Sequence, residues 1–394
     1  MRVAANGTQR APVRFACMSS VYDAIIIGAG PGGGSAAWHL ARLGHSVLVL
    51  EKQTLPRYKP CGGGVGPEVR GWFDIDFTPA VSAMVDTVRY TWNMGERVDA
   101  PLELREPLWM VRRDEFDHHL ITHAVAKGAT LRTGETVQAI ARDGGQWTVT
   151  TDLGVHHARL LIGADGAKGQ TAKWLGLAKR AVVIGGAIEI EVNAPVPEPH
   201  IAHFEFGMVN NGYLWNFPKK DCHSIGIGAW GQKSVDLRTP LAAYTNYFGL
   251  SMDGVKQHGH PLLLWQGNSV LHTDGAMLCG EAAGIVDPFT AEGIRPSLFT
   301  GMCAAESAAA WFKGDTSALS KYSERIANEH GRDMKWAARV AKAFYAMPRL
   351  AYTVGISRPS ATRTMGRLLT GEIKWHEVAP RALARLVSPR SLLS

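Results

Sequence analysis

A chain of 394 residues that is 46% hydrophobic and 20% charged, with a net charge of +7, can bury the cores of two or three ordinary globular domains. It has no continuous apolar run of about 18 residues, which argues against a membrane-crossing helix. Its five cysteines, Cys17, Cys61, Cys222, Cys279 and Cys303, make neither a metal spacing nor an even framework, so no metal site and a reducing compartment are expected.

Residues 1–20 hold Arg2, Arg10 and Arg14 without the apolar core of a secretory signal, and a disordered extension is expected there. Tyr22 to Ile27 then alternates into a short β-branched strand, Gly28-Ala29-Gly30-Pro31-Gly32-Gly33 turns, and Gly34 to Leu43 is helix-compatible. A second strand, Ser46 to Leu50, ends at Glu51. In this GxGxxG order Gly28 makes the tight turn, Gly30 lets the backbone approach a pyrophosphate, and Gly33 lets the helix pack closely on the strand. Glu51, 18 positions after Gly33, is placed to accept hydrogen bonds from ribose hydroxyls. The unit reads as an adenine-dinucleotide site, against the plainer alternative of a glycine-rich turn that binds nothing.

The loop Pro56-Arg57-Tyr58-Lys59-Pro60-Cys61-Gly62-Gly63-Gly64 follows directly and puts a lone thiol in bare backbone. Few neighbouring side chains are available to pack Cys61 as a core residue, so a functional loop of Cys61, Gly62 and Gly63 is favoured. Leu160 to Gly166 reads as a buried strand ending in the acid-glycine turn Asp165-Gly166. Ile184 to Val192, His203 to Val209 and Ser224 to Trp230 alternate like strands of an antiparallel sheet. His203 and His223 within them read as structural. Tyr213, Trp215 and Phe217 share one strand face, with Leu214 and Asn216 on the other. That face is either a sheet's own core or the wall of a binding channel. Lys219 and Lys220 beyond it suit either a phosphate head group or an ordinary loop. Ala276 to Gly284 repeats the acid-glycine turn at Gly280-Glu281 and leads through Gly293 and Ile294 into a helix from about Pro296 to Phe312. Exposed N–H groups at such a helix start suit a phosphate or an electron-rich ring edge. FAD is long enough to use both turns, whereas NAD would not require the second.

The charge is unevenly placed. Gly331 to Ser394 holds twelve basic and three acidic side chains, so this segment carries +9 and the remainder of the chain −2. Such a surface suits an anionic membrane, a diphosphate or an acidic electron donor, or is simply a solvated helix face. Nucleic acid is disfavoured, because no helix-turn-helix or aromatic RNA-binding signature accompanies the charge.

Taken together, GAGPGG, PRYKPCGGGV, Arg113-Asp114-Glu115-Phe116-Asp117, GADG at Gly163 to Gly166, Gly212-Tyr213-Leu214-Trp215-Asn216-Phe217-Pro218-Lys219 and GEAAG with PFTAEGI resemble the geranylgeranyl reductases. These belong to the larger group of FAD enzymes that includes the aromatic hydroxylases. The resemblance runs from residue 22 to about 300, and Glu281 departs from it, since the family more often has aspartate there. It implies an α/β fold in which a Rossmann-like FAD-binding domain (21–65, 111–168 and 273–312) is interleaved with an α+β substrate domain built on an antiparallel sheet (66–110 and 169–272), followed by a basic helical region (313–394). It further implies that Arg113 touches FAD, with Arg112 as the rival for that place, that Cys61 shapes the reducing site by positioning or protonation, and that Tyr213 and Trp215 line a channel for a long hydrocarbon.

The function so implied is saturation of carbon–carbon double bonds in a geranylgeranyl or related isoprenoid chain, by hydride from reduced flavin. NADPH or reduced ferredoxin would be the electron donor. Plant and cyanobacterial members point to a diphosphate or chlorophyll precursor, archaeal ones to membrane lipids, and a menaquinone is a further option. The expected location is cytoplasmic or peripheral on a membrane. Two rival readings are a flavin monooxygenase or halogenase and, from a different class, a flavin-binding redox sensor or membrane-associated assembly protein without turnover.

Overall fold

The structure, a computed structural model, describes residues 21–103, 105–177, 185–231, 236–356 and 358–380. Cys17 and the extension at 1–20, Ile184, and Arg381, Arg385 and Arg390 of the basic segment lie outside these residues.

The β-branched run Tyr22–Ile27 sits at the centre of the first sheet, paired in parallel with Val47–Glu51 on one side and Val155–Gly163 on the other. Thr130–Thr133 extends the sheet beyond Val47–Glu51, and Ala276–Leu278 extends it beyond Val155–Gly163. A strand buried on both faces needs apolar side chains at every position. Ala24 and Ile26 accordingly face the helices Pro31–Arg42, Arg113–Ala126 and Ile294–Phe312, while Ile25 and Ile27 face Trp147 and Val149 of a covering hairpin. The two helices nearest the glycine turn touch backbone to backbone: a Cβ on Gly301 would lie 2.3 Å from the Gly32 carbonyl oxygen.

A second sheet of seven strands runs in the order His258–Leu262, Gly185–Val192, His223–Trp230, Gly212–Pro218, Ile201–Phe206, Thr87–Trp92, Glu96–Pro101. It is antiparallel except where Ile201–Phe206 pairs in parallel with Thr87–Trp92. Those two strands come from chain segments far apart in sequence, so no hairpin fixes their relative direction. A small three-stranded sheet of Gly64–Val65, Leu108–Val111 and Val81–Val85 lies where the chain passes between the two large ones.

Ala318–Ile326 and Arg332–Ala346 form one helical path through a π-turn at Ala327–Gly331, and Pro348–Ala351 and Pro359–Leu369 follow. These helices dock on both large sheets. Tyr322 and His330 reach the first, donating to the Leu278 and Ile285 carbonyls at 2.7 Å each. Arg349 pairs with Glu96 of the second, and the Tyr352 hydroxyl donates to the Glu96 carbonyl at 2.9 Å. Among the described residues no helix is long and apolar enough to cross a membrane.

Candidate active site

At the first glycine turn, Gly28 has φ +104°, and a Cβ there would lie 2.5 Å from the Ala164 carbonyl oxygen. A Cβ on Gly33 would lie 1.8 Å from the Gly28 oxygen, so the helix is held against the strand at a distance only glycine permits. Gly30 is different: a Cβ there would meet only the guanidinium nitrogens of Arg57 and Arg113, at 3.7 and 3.8 Å. Its backbone is open toward a ligand, and the helix beginning at Pro31 has no side-chain cap. Glu51 is buried at the end of its strand, where Oε2 accepts from the Ala29 N–H at 3.0 Å and Oε1 from the Gln53 N–H at 3.1 Å.

Arg57 and Arg113 converge on one buried carboxylate, Asp117, through contacts of 2.8 to 3.0 Å. Arg57 Nε also lies 3.5 Å from Glu51 Oε2, so two carboxylates match the two guanidiniums, and what these bring to the open turn is hydrogen-bond donors close to Gly30, suited to a pyrophosphate. Arg112 points away, to Asp114, Glu191 and Asp221, so of these two neighbours it is Arg113 that lines the cavity.

The second acid-glycine turn abuts the first, and a Cβ on Gly32 would lie 3.0 Å from the Gly280 Cα. Gly280, Glu281, Gly293 and Ile294 all line the cavity. Glu281 is held by His260 at 3.2 Å and by Lys59 at 3.7 Å. Burial pushes its carboxyl up, but the His260 hydrogen bond and the Lys59 charge outweigh that and bring it down to about 2. Its carboxylate thus ties the second turn to the cysteine loop and to the edge strand of the second sheet. Gly166 also lines the cavity, and Asp165 gives one oxygen, Oδ2, to Thr171, accepting from its N–H at 2.9 Å and its hydroxyl at 2.7 Å, while Oδ1 is buried without a partner.

The cysteine loop is clamped between the sheets. Cys61, Gly62 and Gly63 line the cavity, and Gly63 has φ +76° with a Cβ position 2.0 Å from the Val111 oxygen. A Cβ on Gly62 would meet the Phe217 ring at 2.8 Å. Lys219 is 1% exposed and donates to the Gly62 carbonyl at 2.6 Å and the Val111 carbonyl at 3.0 Å. It is therefore an internal strut of this loop, buried and with both acceptors supplied by backbone. Lys220 is exposed.

Tyr213, Trp215 and Phe217 all face the cavity, while Leu214 packs behind them with Ile190, Ile225 and Ile227. His203 stacks edge-on against Phe248 and His223 bonds Asn216 and the Pro195 carbonyl, both as structural residues. The Trp215 indole lies over Gly226 and Gly228 of the adjacent strand, where a Cβ on Gly226 would come within 2.0 Å of the ring. The cavity, of about 670 Å³, starts at Gly30, passes Cys61 and this aromatic face, and ends among Phe344, Met365, Leu368 and Trp375 of the C-terminal helices. Two contributions escape a linear reading of the sequence. One is that far wall. The other is Glu189, a buried carboxyl on the strand next to Gly226.

The open glycine backbone, the paired arginines and the uncapped helix start fit FAD. A model of the FAD binding domain matches residues 21–213. The chain is 30% identical over 338 residues to a geranylgeranyl diphosphate reductase of Rhodobacter capsulatus, covering 82% of this chain and 84% of that one. The chain belongs to the geranylgeranyl reductase family. It is an FAD-dependent oxidoreductase. A menaquinone reductase of Mycolicibacterium smegmatis is also 30% identical, over 90% of this chain and 94% of its own. The fold matches that of a geranylgeranyl bacteriochlorophyll reductase-like protein of Thermoplasma acidophilum, with a TM-score of 0.73 and 21% identity over 89% and 91% of the two chains.

Proposed function

We propose that this family member saturates carbon–carbon double bonds of a geranylgeranyl-length prenyl chain. The observation that carries the reading is the continuity of the cavity, from the two glycine turns through the cysteine loop into an aromatic and aliphatic gallery. FAD bound along the turns supplies hydride. The protein's own share is positional: Gly30, Arg57 and Arg113 hold the phosphates, and Tyr213, Trp215 and Phe217 lay the chain against the reacting edge. The Tyr213 hydroxyl is committed to the Thr290 carbonyl at 2.5 Å, so this wall presents ring faces and no free hydroxyl to the hydrocarbon. Arg358, an exposed cation that lines the cavity with Met365 and Leu368, suits an anionic head group.

The test is anaerobic. Protein reduced chemically is mixed with geranylgeranyl diphosphate, the flavin absorbance is followed, and the organic extract is weighed by mass spectrometry. Reoxidation with products heavier by pairs of hydrogens is expected. Reduced flavin that persists until oxygen enters would sink the reading in favour of a monooxygenase-type or non-catalytic protein.

A further inference from the structure

Glu189 sits on the strand Gly185–Val192, on the cavity side of the second sheet, and is 2% exposed. One oxygen is satisfied: the Ser224 hydroxyl donates to Oε1 at 2.7 Å. The other, Oε2, is buried without a hydrogen-bond partner. A buried carboxylate that keeps its charge with one oxygen unpaired costs several kcal/mol. Lys219, the nearest cation, is committed to the Gly62 and Val111 carbonyls. The surroundings therefore favour the neutral acid.

Position matters as much as protonation. The register partners of Glu189 are Gly226 on one side and His258 on the other; on the Gly226 strand only the Ser224 hydroxyl reaches it, and the Trp215 indole of the next strand lies over Gly226. The backbone N–H of Cys61 is directed at the carboxyl and favours its charged form, but not with a geometry that satisfies Oε2. The titratable groups around it are Lys219, Glu191 of its own strand, Tyr58 and Cys61 of the loop, and His258. Burial pushes the Glu189 carboxyl up to about 7, against the opposing pull of the Ser224 hydroxyl and the Lys219 charge. That places a proton-holding group at the bend where the cofactor turns and the hydrocarbon gallery meet.

We propose that Glu189 is the acid that protonates the alkene, with the transferred proton carried on Oε2. The role rests on the prenyl-reduction reading above. The proton leaves Oε2 for one alkene carbon as the hydride supplied by reduced flavin reaches the other. The π bond breaks, two C–H bonds form, two electrons leave the flavin, and the carboxylate is reprotonated from solvent. Cys61, whose backbone faces the carboxyl, then acts as the lid of the acid.

Glu189→Gln keeps the shape and an acceptor for Ser224 but removes the acid. In anaerobic single turnover with geranylgeranyl diphosphate, saturation is expected to fall by roughly 10²–10⁴-fold, with FAD affinity unchanged. Ser224→Ala removes a bond that favours the carboxylate, so the loss of rate with rising pH moves to higher pH. A second readout needs no turnover: the infrared spectrum of the protein before any substrate is added has a protonated-carboxyl band that titrates near neutrality and is missing in Glu189→Gln. Wild-type rates in Glu189→Gln, or no such band in the wild type, would overturn the assignment. Wild-type protein that yields no saturated product while showing the band refutes prenyl reduction, and the proton-donor role with it, yet leaves the protonated state of Glu189 established.

Discussion

Lys219 is a lysine removed from water and given two backbone carbonyls in exchange. Burial pushes its ammonium down from the ordinary lysine value. Replacement by methionine keeps the stem but strands the Gly62 and Val111 oxygens, at about 1–3 kcal/mol for each buried acceptor left unpaired. Lys219→Met should therefore melt earlier and reduce alkenes slowly while still binding FAD, since its contacts are to the cysteine loop and not to the glycine turn. An unchanged melting temperature would show that water replaces the ammonium. The two loop glycines separate in the same way. Gly63→Ala meets backbone at a positive φ and should destabilise strongly, whereas Gly62→Ala meets the edge of a Phe217 ring that can rotate and should mainly shift the loop.

At the scale of the strand, Gly226 exists for the Trp215 indole. A Cβ at Gly226 would displace that ring from the sheet into the cavity. Gly226→Ala should weaken prenyl binding several-fold with FAD affinity intact; Gly186→Ala, on the neighbouring strand with open space around its Cβ position, should be silent. Equal prenyl affinities in titrations of the two variants would contradict the aromatic-wall role. The sequence already showed that the three rings share a face, because a period of two puts Tyr213, Trp215 and Phe217 together wherever the strand lies; whether that face was core or wall it left open. It showed the glycine turns for the same local reason: their constraints are met within a few residues. It could not show that Lys219 points inward, since that depends on a loop about 160 residues away in the chain, nor that Asp165 gives one of its oxygens to Thr171. Glu189 was hidden among ordinary strand residues because its meaning comes from Gly226 and Ser224 across the sheet. The far wall lay in a C-terminal segment whose basic composition drew attention to charge, while apolar side chains of its described helices do the lining.

Across the whole molecule, the cavity is complete only while the C-terminal helices stay docked, and one joint of that docking is pH-sensitive. His330 is 8% exposed, donates to the Ile285 carbonyl at 2.7 Å, and sits one residue before Gly331, whose Cβ position is 2.0 Å from the Asn268 side chain. Burial pushes its imidazole from 6.5 down to about 4, against the favourable pull of the Ile285 carbonyl. The folded state thus resists a proton that the unfolded chain accepts. Stability from this group is complete above the unfolded value and is lost as pH falls from 6.5 toward about 4. His330→Gln keeps an N–H for Ile285 and cannot titrate. Between about pH 7 and about pH 5, urea unfolding should cost the wild type about 2 kcal/mol more stability than the variant. Other buried groups, among them His39, His203 and the raised Glu189 carboxyl, shift both proteins alike and cancel in that difference. Parallel pH profiles would mean that His330 takes its proton without leaving the joint. A gap that opens as the pH falls would make the docking of the helices, and so the far wall of the cavity, the acid-labile part of the fold.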